Sequence, residues 1–179
     1  MAINLNNSEQ RDILEDTSTT IPATLAIIDA TLDNIYATTP RIVSRATEVL
    51  PATTQTPYFT VTGRVLITQI VGEVNTLITA TAVDIKLIAN PTVGADVDLC
   101  AALTITDDAV GTMYNITGTF ANAMIATTSG AFEAQANAFV VAAGTIDLHT
   151  TATNLGQTKW TLHYIPLDIG SSVTANNPA

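Results

Sequence analysis

From about residue 58 onward, apolar and polar residues alternate in short blocks that are separated by turn-forming residues. Alternation with a period of two is typical of strands that bury one face. About seven to nine such blocks follow one another without a helical interruption, as expected for an antiparallel β-sandwich with jelly-roll-like or Greek-key connections. The clearest blocks contain Phe59, Val61, Val65 and Ile67; Val83, Ile85 and Leu87; and Trp160, Leu162 and Tyr164.

A change of pattern near residue 57 divides the chain. We predict an N-terminal arm with helices over residues 1–50 and a proline-bounded linker over residues 51–57. The β-sandwich domain then covers residues 58–170, and the polar residues 171–179 form a flexible tail. Within the sandwich, residues 154–157 read Asn-Leu-Gly-Gln, which is typical of a hairpin loop.

The N-terminal part contains a heptad repeat of aliphatic residues, as in a coiled coil. The apolar positions from residue 21 to residue 35 are separated by steps of 4, 3, 4 and 3, which places leucine at a and isoleucine at d. This combination favours three or four strands over two. The predicted oligomerisation seam consists of Leu14, Ile21, Leu25, Ile28, Leu32, Ile35 and Ile42.

Prolines set the bounds of the predicted helices. The first helix runs over residues 22–38 and the second, with Pro40 in its first turn, over residues 40–50. A helix of about 17 residues is marginal alone, so it must bury its seam against its own domain or against other copies of the chain. Self-association is favoured because the repeat keeps its phase on both sides of Pro40. On the second helix, Arg41 and Arg45 lie four residues apart and are expected to be solvated.

The charge balance excludes several classes of partner. Six Lys and Arg residues stand against 16 Asp and Glu, for a net charge of −10. Binding to nucleic acid or to an anionic membrane requires clustered cations, so we expect neither. The single cysteine, Cys100, excludes an intrachain disulfide and a cysteine-based metal site, and its apolar neighbours predict a buried thiol.

Two groups of residues are candidates for metal binding. One pairs the histidines with a nearby aspartate, and the other offers oxygen ligands to Ca²⁺ from a glycine-containing loop. Neither matches an established ligand spacing, so we predict no metal and no cofactor. The first group is Asp147, His149 and His163, and the second is Asn90, Asp96 and Asp98.

Catalysis has little support in the sequence. No nucleophile elbow and no phosphate-binding glycine loop occur. A carbohydrate-active β-sandwich is the remaining enzymatic alternative, and it requires a pair of carboxylates in one cleft. The candidates for that pair are Asp96, Asp98, Asp107 and Glu133. We expect the protein not to be an enzyme.

Three stretches together resemble small virion structural proteins of tailed bacteriophages. These are residues 12–29 of the N-terminal part, residues 87–100, which read LIANPTVGADVDLC, and residues 158–167, which read TKWTLHYIPL. The resemblance implies an N-terminal helical segment followed by a compact β domain. It also implies a non-enzymatic and typically trimeric particle component, without transferable site residues.

The residues and the resemblance together lead to one leading expectation. It is a capsid decoration or head-spike protein on the virion surface, synthesised in the host cytoplasm and anchored through its N-terminal region. Its expected partners are two further copies of itself, in a homotrimer, and the major capsid protein or another virion protein. A tail or baseplate component, or a receptor-binding module, is the alternative with the same architecture.

Overall fold

The computed structural model describes residues 21–32, residue 35, residues 39–51 and residues 55–178. The chain divides into two compact units, Met1–Thr38 and Thr39–Ala179. In the first unit, the described residues form one helix, α1, over residues 21–32, and residue 35 is also helical. The described part of the second unit is built of β1 Arg41–Ser44, β2 Glu48–Val49, β3 Gln55–Thr62, β4 Val65–Thr76, β5 Asp84–Pro91, β6 Val97–Asp98, β7 Leu103–Thr104, β8 Met113–Asn115, β9 Ile125–Thr127, β10 Phe139–Val141, β11 Gly144–Thr150, β12 Gln157–Pro166 and β13 Ser172–Ala175.

The strands form two antiparallel sheets, which confirms the prediction of a mainly β chain with the character of a β-sandwich. Sheet A has the order β1-β12-β4-β8-β9, with β10 also paired to β4 and β2 to β12. Sheet B has the order β13-β3-β11-β5-β6, with β7 also paired to β5. Within each sheet, some paired strands are distant in sequence: β4 pairs with β12 in sheet A, and β3 pairs with β11 in sheet B.

Among the described strands, the chain passes from sheet B to sheet A at β3–β4, at β7–β8 and at β11–β12. In the first and last of these passages, the departing strands β3 and β11 pair with each other, and so do the arriving strands β4 and β12. The hairpin loop predicted at residues 154–157 is therefore wrong, because β11 and β12 lie in different sheets. The buried Asn154 explains the difference. Its Oδ1 accepts from the backbone N–H groups of Thr79 and Gly156 at 3.0 Å, and its Nδ2 donates to the carbonyl of Thr81 at 3.1 Å. This side chain replaces the hydrogen bonds that a hairpin would have supplied.

The core is formed by buried residues of both sheets, among them the aromatic residues Trp160 and Tyr114 of sheet A. Trp160 stacks on Tyr114 with ring centroids 6.2 Å apart. Opposite Trp160 in the register lies Gly72, where a Cβ atom would come within 2.8 Å of the indole. Glycine is thus required there for the indole to lie flat on the sheet. The predicted alternation of Trp160, Leu162 and Tyr164 is confirmed, because all three are buried.

The second predicted helix is wrong. Residues of this segment form the strands β1 and β2, which pair with β12 over Arg41–Ser44 and Glu48–Val49. The β-branched pair Ile42 and Val43 favours a strand, and the open edge of β12 offers ladder hydrogen bonds that a helix could not use. Tertiary pairing has outweighed the proline signal at the start of the segment.

The expected solvation of Arg45 is also wrong, since this side chain is only 3% exposed. Its guanidinium lies 3.9 Å from the centroid of the Tyr58 ring, and its Nε donates to the carbonyl of Asn176 at 2.8 Å. It also forms an ion pair with Glu48. Arg45 therefore ties the β1–β2 segment to β3 and to the chain after β13.

Two predicted domain boundaries differ from the structure. Strand β3 begins at Gln55, so the linker predicted over residues 51–57 extends too far; residues 52–54 lie outside the described residues. The predicted flexible tail contains β13, which pairs with β3 from Ser172 to Ala175. Val173 is buried in the core, whereas its neighbours in β13 are not. The polar composition of residues 171–179 gave no sign of this edge strand of sheet B.

Candidate functional site

The seam residues of α1 have large aliphatic side chains that are exposed. Ile21, Leu25, Ile28 and Leu32 are 51%, 54%, 47% and 47% exposed. Their spacing places them along one stripe of the helix. Thr31 directs its hydroxyl back to the carbonyl of Ile27 at 2.7 Å, which satisfies this polar side chain within the helix. The stripe is a surface with which another apolar surface can associate.

The rest of the predicted seam is distributed differently. Ile35 is helical and exposed, and Leu14 lies outside the described residues. Ile42 lies on strand β1, where its side chain is also exposed. It cannot continue a helical heptad, so the expectation that the repeat keeps its phase across Pro40 is wrong.

The structure separates the two histidines. His149 lies on β11 in sheet B and His163 on β12 in sheet A, so they do not pair across neighbouring strands. Asp147 shares β11 with His149 but is buried. Within the ranges that the structure describes, no group of three or more His, Cys, Asp and Glu residues is arranged to hold a metal ion.

The carboxylates considered for catalysis are all exposed. Asp98 on β6 receives a hydrogen bond from the ammonium of Lys86 at 2.8 Å, and Asp107 occupies a turn with φ at 63°. Asp96 precedes β6, and Glu133 lines a cavity of about 360 Å³ next to Asn115 and Phe132. Asp96 and Asp98, which the sequence had grouped, thus bind different partners.

Cys100 lies in the core, and its sulfur receives the backbone N–H of Leu87 at 3.4 Å. Burial raises the pKa of the thiol to about 11. The side chain therefore remains a neutral thiol at pH 7, as expected for a small buried hydrophobic residue.

A second cavity, of about 190 Å³, is almost entirely apolar. It lies between β5 and β6 of sheet B and β10 of sheet A, and Val97, Phe120 and Val140 form its exposed rim. Phe120 makes an edge-to-face contact with Phe139, with centroids 5.3 Å apart. The cavity is a hydrophobic recess without the convergent polar groups of a catalytic cleft.

Sequence reasoning missed one polar feature and recognised only part of another. The first is the buried Arg45, which the helical reading placed on the surface. The second is a group of amide and carboxylate side chains around Asp147, drawn from three strands and one loop. Asn90 and Asp96 lie close together in sequence, but only the strand pairing identifies Asp147 and Gln55 as their neighbours.

Within the described part of the chain, no helix is both long and apolar enough to span a bilayer. Comparison with models of known protein families, with curated proteins and with solved structures finds no match.

Proposed function

We propose that this chain is a non-enzymatic virion structural protein, a trimeric capsid decoration or head-spike protein anchored through its N-terminal region. The observation that carries the proposal is the stripe on α1 formed by Ile21, Leu25, Ile28 and Leu32, each about half exposed. Leucine at a and isoleucine at d favour association into three or four strands. The proposed assembly is therefore a homotrimeric coiled coil that includes α1.

The energetics favour self-association of this stripe. Fully burying an exposed aliphatic side chain contributes about 1.5–3 kcal/mol, so each half-exposed residue would contribute roughly 1 kcal/mol. Four such residues on each of three helices would together contribute roughly 12 kcal/mol. This is of the same order as the loss of freedom on association, which is about 4–15 kcal/mol for each chain that joins another. A helix of this length gains its stability from such packing.

In this proposal the β domain projects outward from the particle or cements neighbouring capsomers. Its outer faces are rich in threonine and poor in lysine, which suits a wettable surface that does not bind nucleic acid. The jelly-roll-like or Greek-key relation of the strands belongs to the proposal and is supported by the distant pairings of β3 with β11 and β4 with β12. The partner would be the major capsid protein or another virion protein on the particle surface, and the chain itself would be synthesised in the host cytoplasm.

The oligomeric state tests the proposal directly. We expect the full chain to sediment as a trimer at micromolar concentration and Leu25→Asp to dissociate it. Ile27→Asp is the matched control, because Ile27 is exposed on the same helix but lies off the a/d stripe. A monomeric parent chain, or equal effects of the two substitutions, would contradict the proposed seam.

Location in the particle is tested by antibody labelling of intact virions from a phage that encodes this chain, followed by electron microscopy. Labelling on the head supports the decoration or head-spike proposal. Labelling on the tail contradicts it and favours the tail or baseplate alternative. Particles that lack the chain altogether contradict both.

A further inference from the structure

The outer face of sheet B carries a polar group around Asp147. This residue lies on β11 between Ile146 and Leu148, whose side chains are in the core, so it points to the opposite face. Gln55 on β3 pairs with His149, and Asn90 on β5 pairs with Thr145. The two amides therefore lie on the neighbouring strands, two residues of register to either side of Asp147. Although it lies on an outer face, Asp147 is only 1% exposed.

One amide joins two carboxylates in this group. Nε2 of Gln55 donates to Oδ2 of Asp147 at 2.9 Å and to Oδ2 of Asp96 at 3.1 Å. Nδ2 of Asn90 donates to the same Oδ2 of Asp147 at 3.3 Å. Two acidic side chains from distant parts of the chain therefore lie within hydrogen-bond distance of one nitrogen atom.

Among the described residues, the second carboxylate oxygen of Asp147 has no hydrogen-bond partner. Oδ1 is buried and makes no hydrogen bond among the residues described. The ion pairs found in that same part of the chain involve Arg45, Arg64 and Lys86, and none of them includes Asp147 or Asp96. A buried carboxylate that lacks both a cation and a full set of hydrogen bonds is costly, so the group calls for a positive charge.

We propose that Asp147, Asp96, Gln55 and Asn90 form a binding site for Ca²⁺. All four side chains carry oxygen donors, the type of ligand that Ca²⁺ prefers. The two amides need only rotate about their last bond to exchange nitrogen for oxygen. Two carboxylates are a small ligand charge, which corresponds to a dissociation constant of about 10⁻⁴–10⁻³ M.

The consequence of binding is local reinforcement of sheet B. Asp96 lies just before β6, Gln55 is the first residue of β3, and Asp147 is in the middle of β11. A single ion would tie these three segments together, and a ligand that binds only the folded state stabilises it in proportion to its concentration. This inference does not depend on the location of the protein in a virion.

Calcium titration of the full chain tests the site. We expect isothermal titration calorimetry to show one Ca²⁺ per chain, and about 10 mM Ca²⁺ to raise the melting temperature by about 3 °C or more. Asp96→Asn should weaken binding about tenfold or more. Asp98→Asn is the matched control, because Asp98 is also exposed, lies two residues away and pairs with Lys86 instead. The substitution removes the same charge, and the Ca²⁺ affinity of this variant should match that of the parent chain.

Other outcomes would overturn the site. No binding at about 10 mM Ca²⁺ would contradict the site. Equal weakening by Asp96→Asn and Asp98→Asn would show that any response comes from the net negative charge alone. An equal response to Mg²⁺ would do the same, because Mg²⁺ requires near-octahedral geometry and retains its waters. Asp147→Asn should abolish the Ca²⁺ response, and a folded variant that binds as well as the parent chain contradicts the proposal.

Discussion

The helix α1 and the β unit contain the same types of apolar residue but expose them to opposite extents. Leu25 on α1 is 54% exposed, whereas Leu162 on β12 is fully buried. In the β unit, the core side chains, Leu162 among them, are buried within one chain. In the described part of α1 the large apolar side chains are about half exposed, so the stability of the two regions should respond differently to the same substitution.

The largest expected effect is therefore in the sandwich core. Leu162→Ala should lower the free energy of unfolding by about 2–5 kcal/mol, because it removes fully buried methyl groups and leaves a cavity. Urea unfolding followed by the fluorescence of Trp160, the single tryptophan, measures the change. Leu155→Ala, at an exposed position of the same domain, is the control and should change stability by less than about 0.5 kcal/mol. Equal losses at the two positions would contradict the burial pattern.

The sandwich core is also the part that the sequence predicted best. The alternation at Trp160, Leu162 and Tyr164 identified the buried face of β12, because one face of a strand is selected by every second residue. The register was not predictable, since β12 pairs with β4 about 90 residues earlier in the chain and no local signal specifies that partner.

Local signals failed where tertiary contacts decide the structure. Pro40 and the heptad row suggested a helix, but the edge of β12 draws residues 41–44 into a strand. Residues 154–157 have the composition of a hairpin loop, but the side chain of Asn154 fixes a crossing between sheets. The polar group around Asp147 was also only partly predictable, because tertiary contacts bring its members together. Asn90 and Asp96 were recognised as oxygen donors, and only the fold supplies Asp147 and Gln55 beside them.

A somewhat smaller effect is expected at the buried Arg45, which joins the β1–β2 segment to the rest of the unit. Arg45→Met should destabilise the protein by about 2–4 kcal/mol, because Glu48 loses its cation and the hydrogen bond to Asn176 is lost. Urea unfolding measures this loss.

Arg64→Met is the control for that substitution. It breaks the Arg64–Asp168 pair, in which both side chains are solvent-exposed, and exposed pairs contribute little. The free energy of unfolding of Arg64→Met should stay much closer to that of the parent chain. An Arg45→Met variant as stable as Arg64→Met would show that the burial of Arg45 is not structurally important.

The next prediction is that the stability of the β unit depends on pH through its buried tyrosine side chains. Burial raises the pKa of Tyr58 to about 12 and also raises the pKa of Tyr114, whose hydroxyl donates to Asp108 at 2.7 Å. Above pH 10 the unfolded chain loses these protons first, so the folded state binds more protons and stability falls as pH rises. For Tyr58 the loss between about pH 10 and 12 should approach 2–3 kcal/mol.

Urea unfolding at a series of pH values from 8 to 11.5 measures this slope. Tyr58→Phe removes one of the titrating groups and should make the decline less steep. An unchanged slope in this variant would show that Tyr58 titrates normally in the folded protein, and hence that its burial is incomplete in solution.

The smallest expected effect uses the substitution of the first prediction at the other region. Leu25→Ala should change the free energy of unfolding reported by Trp160 by no more than about 0.5 kcal/mol, measured on dissociated chains at low concentration. The reason is that Leu25 is more than half exposed and belongs to the unit Met1–Thr38, whereas Trp160 lies in the core of Thr39–Ala179. A loss comparable to that of Leu162→Ala would mean that the stripe of α1 is already buried within a single chain. The apolar residues of the helix would then serve the fold of their own subunit, and the contrast between the two regions would disappear.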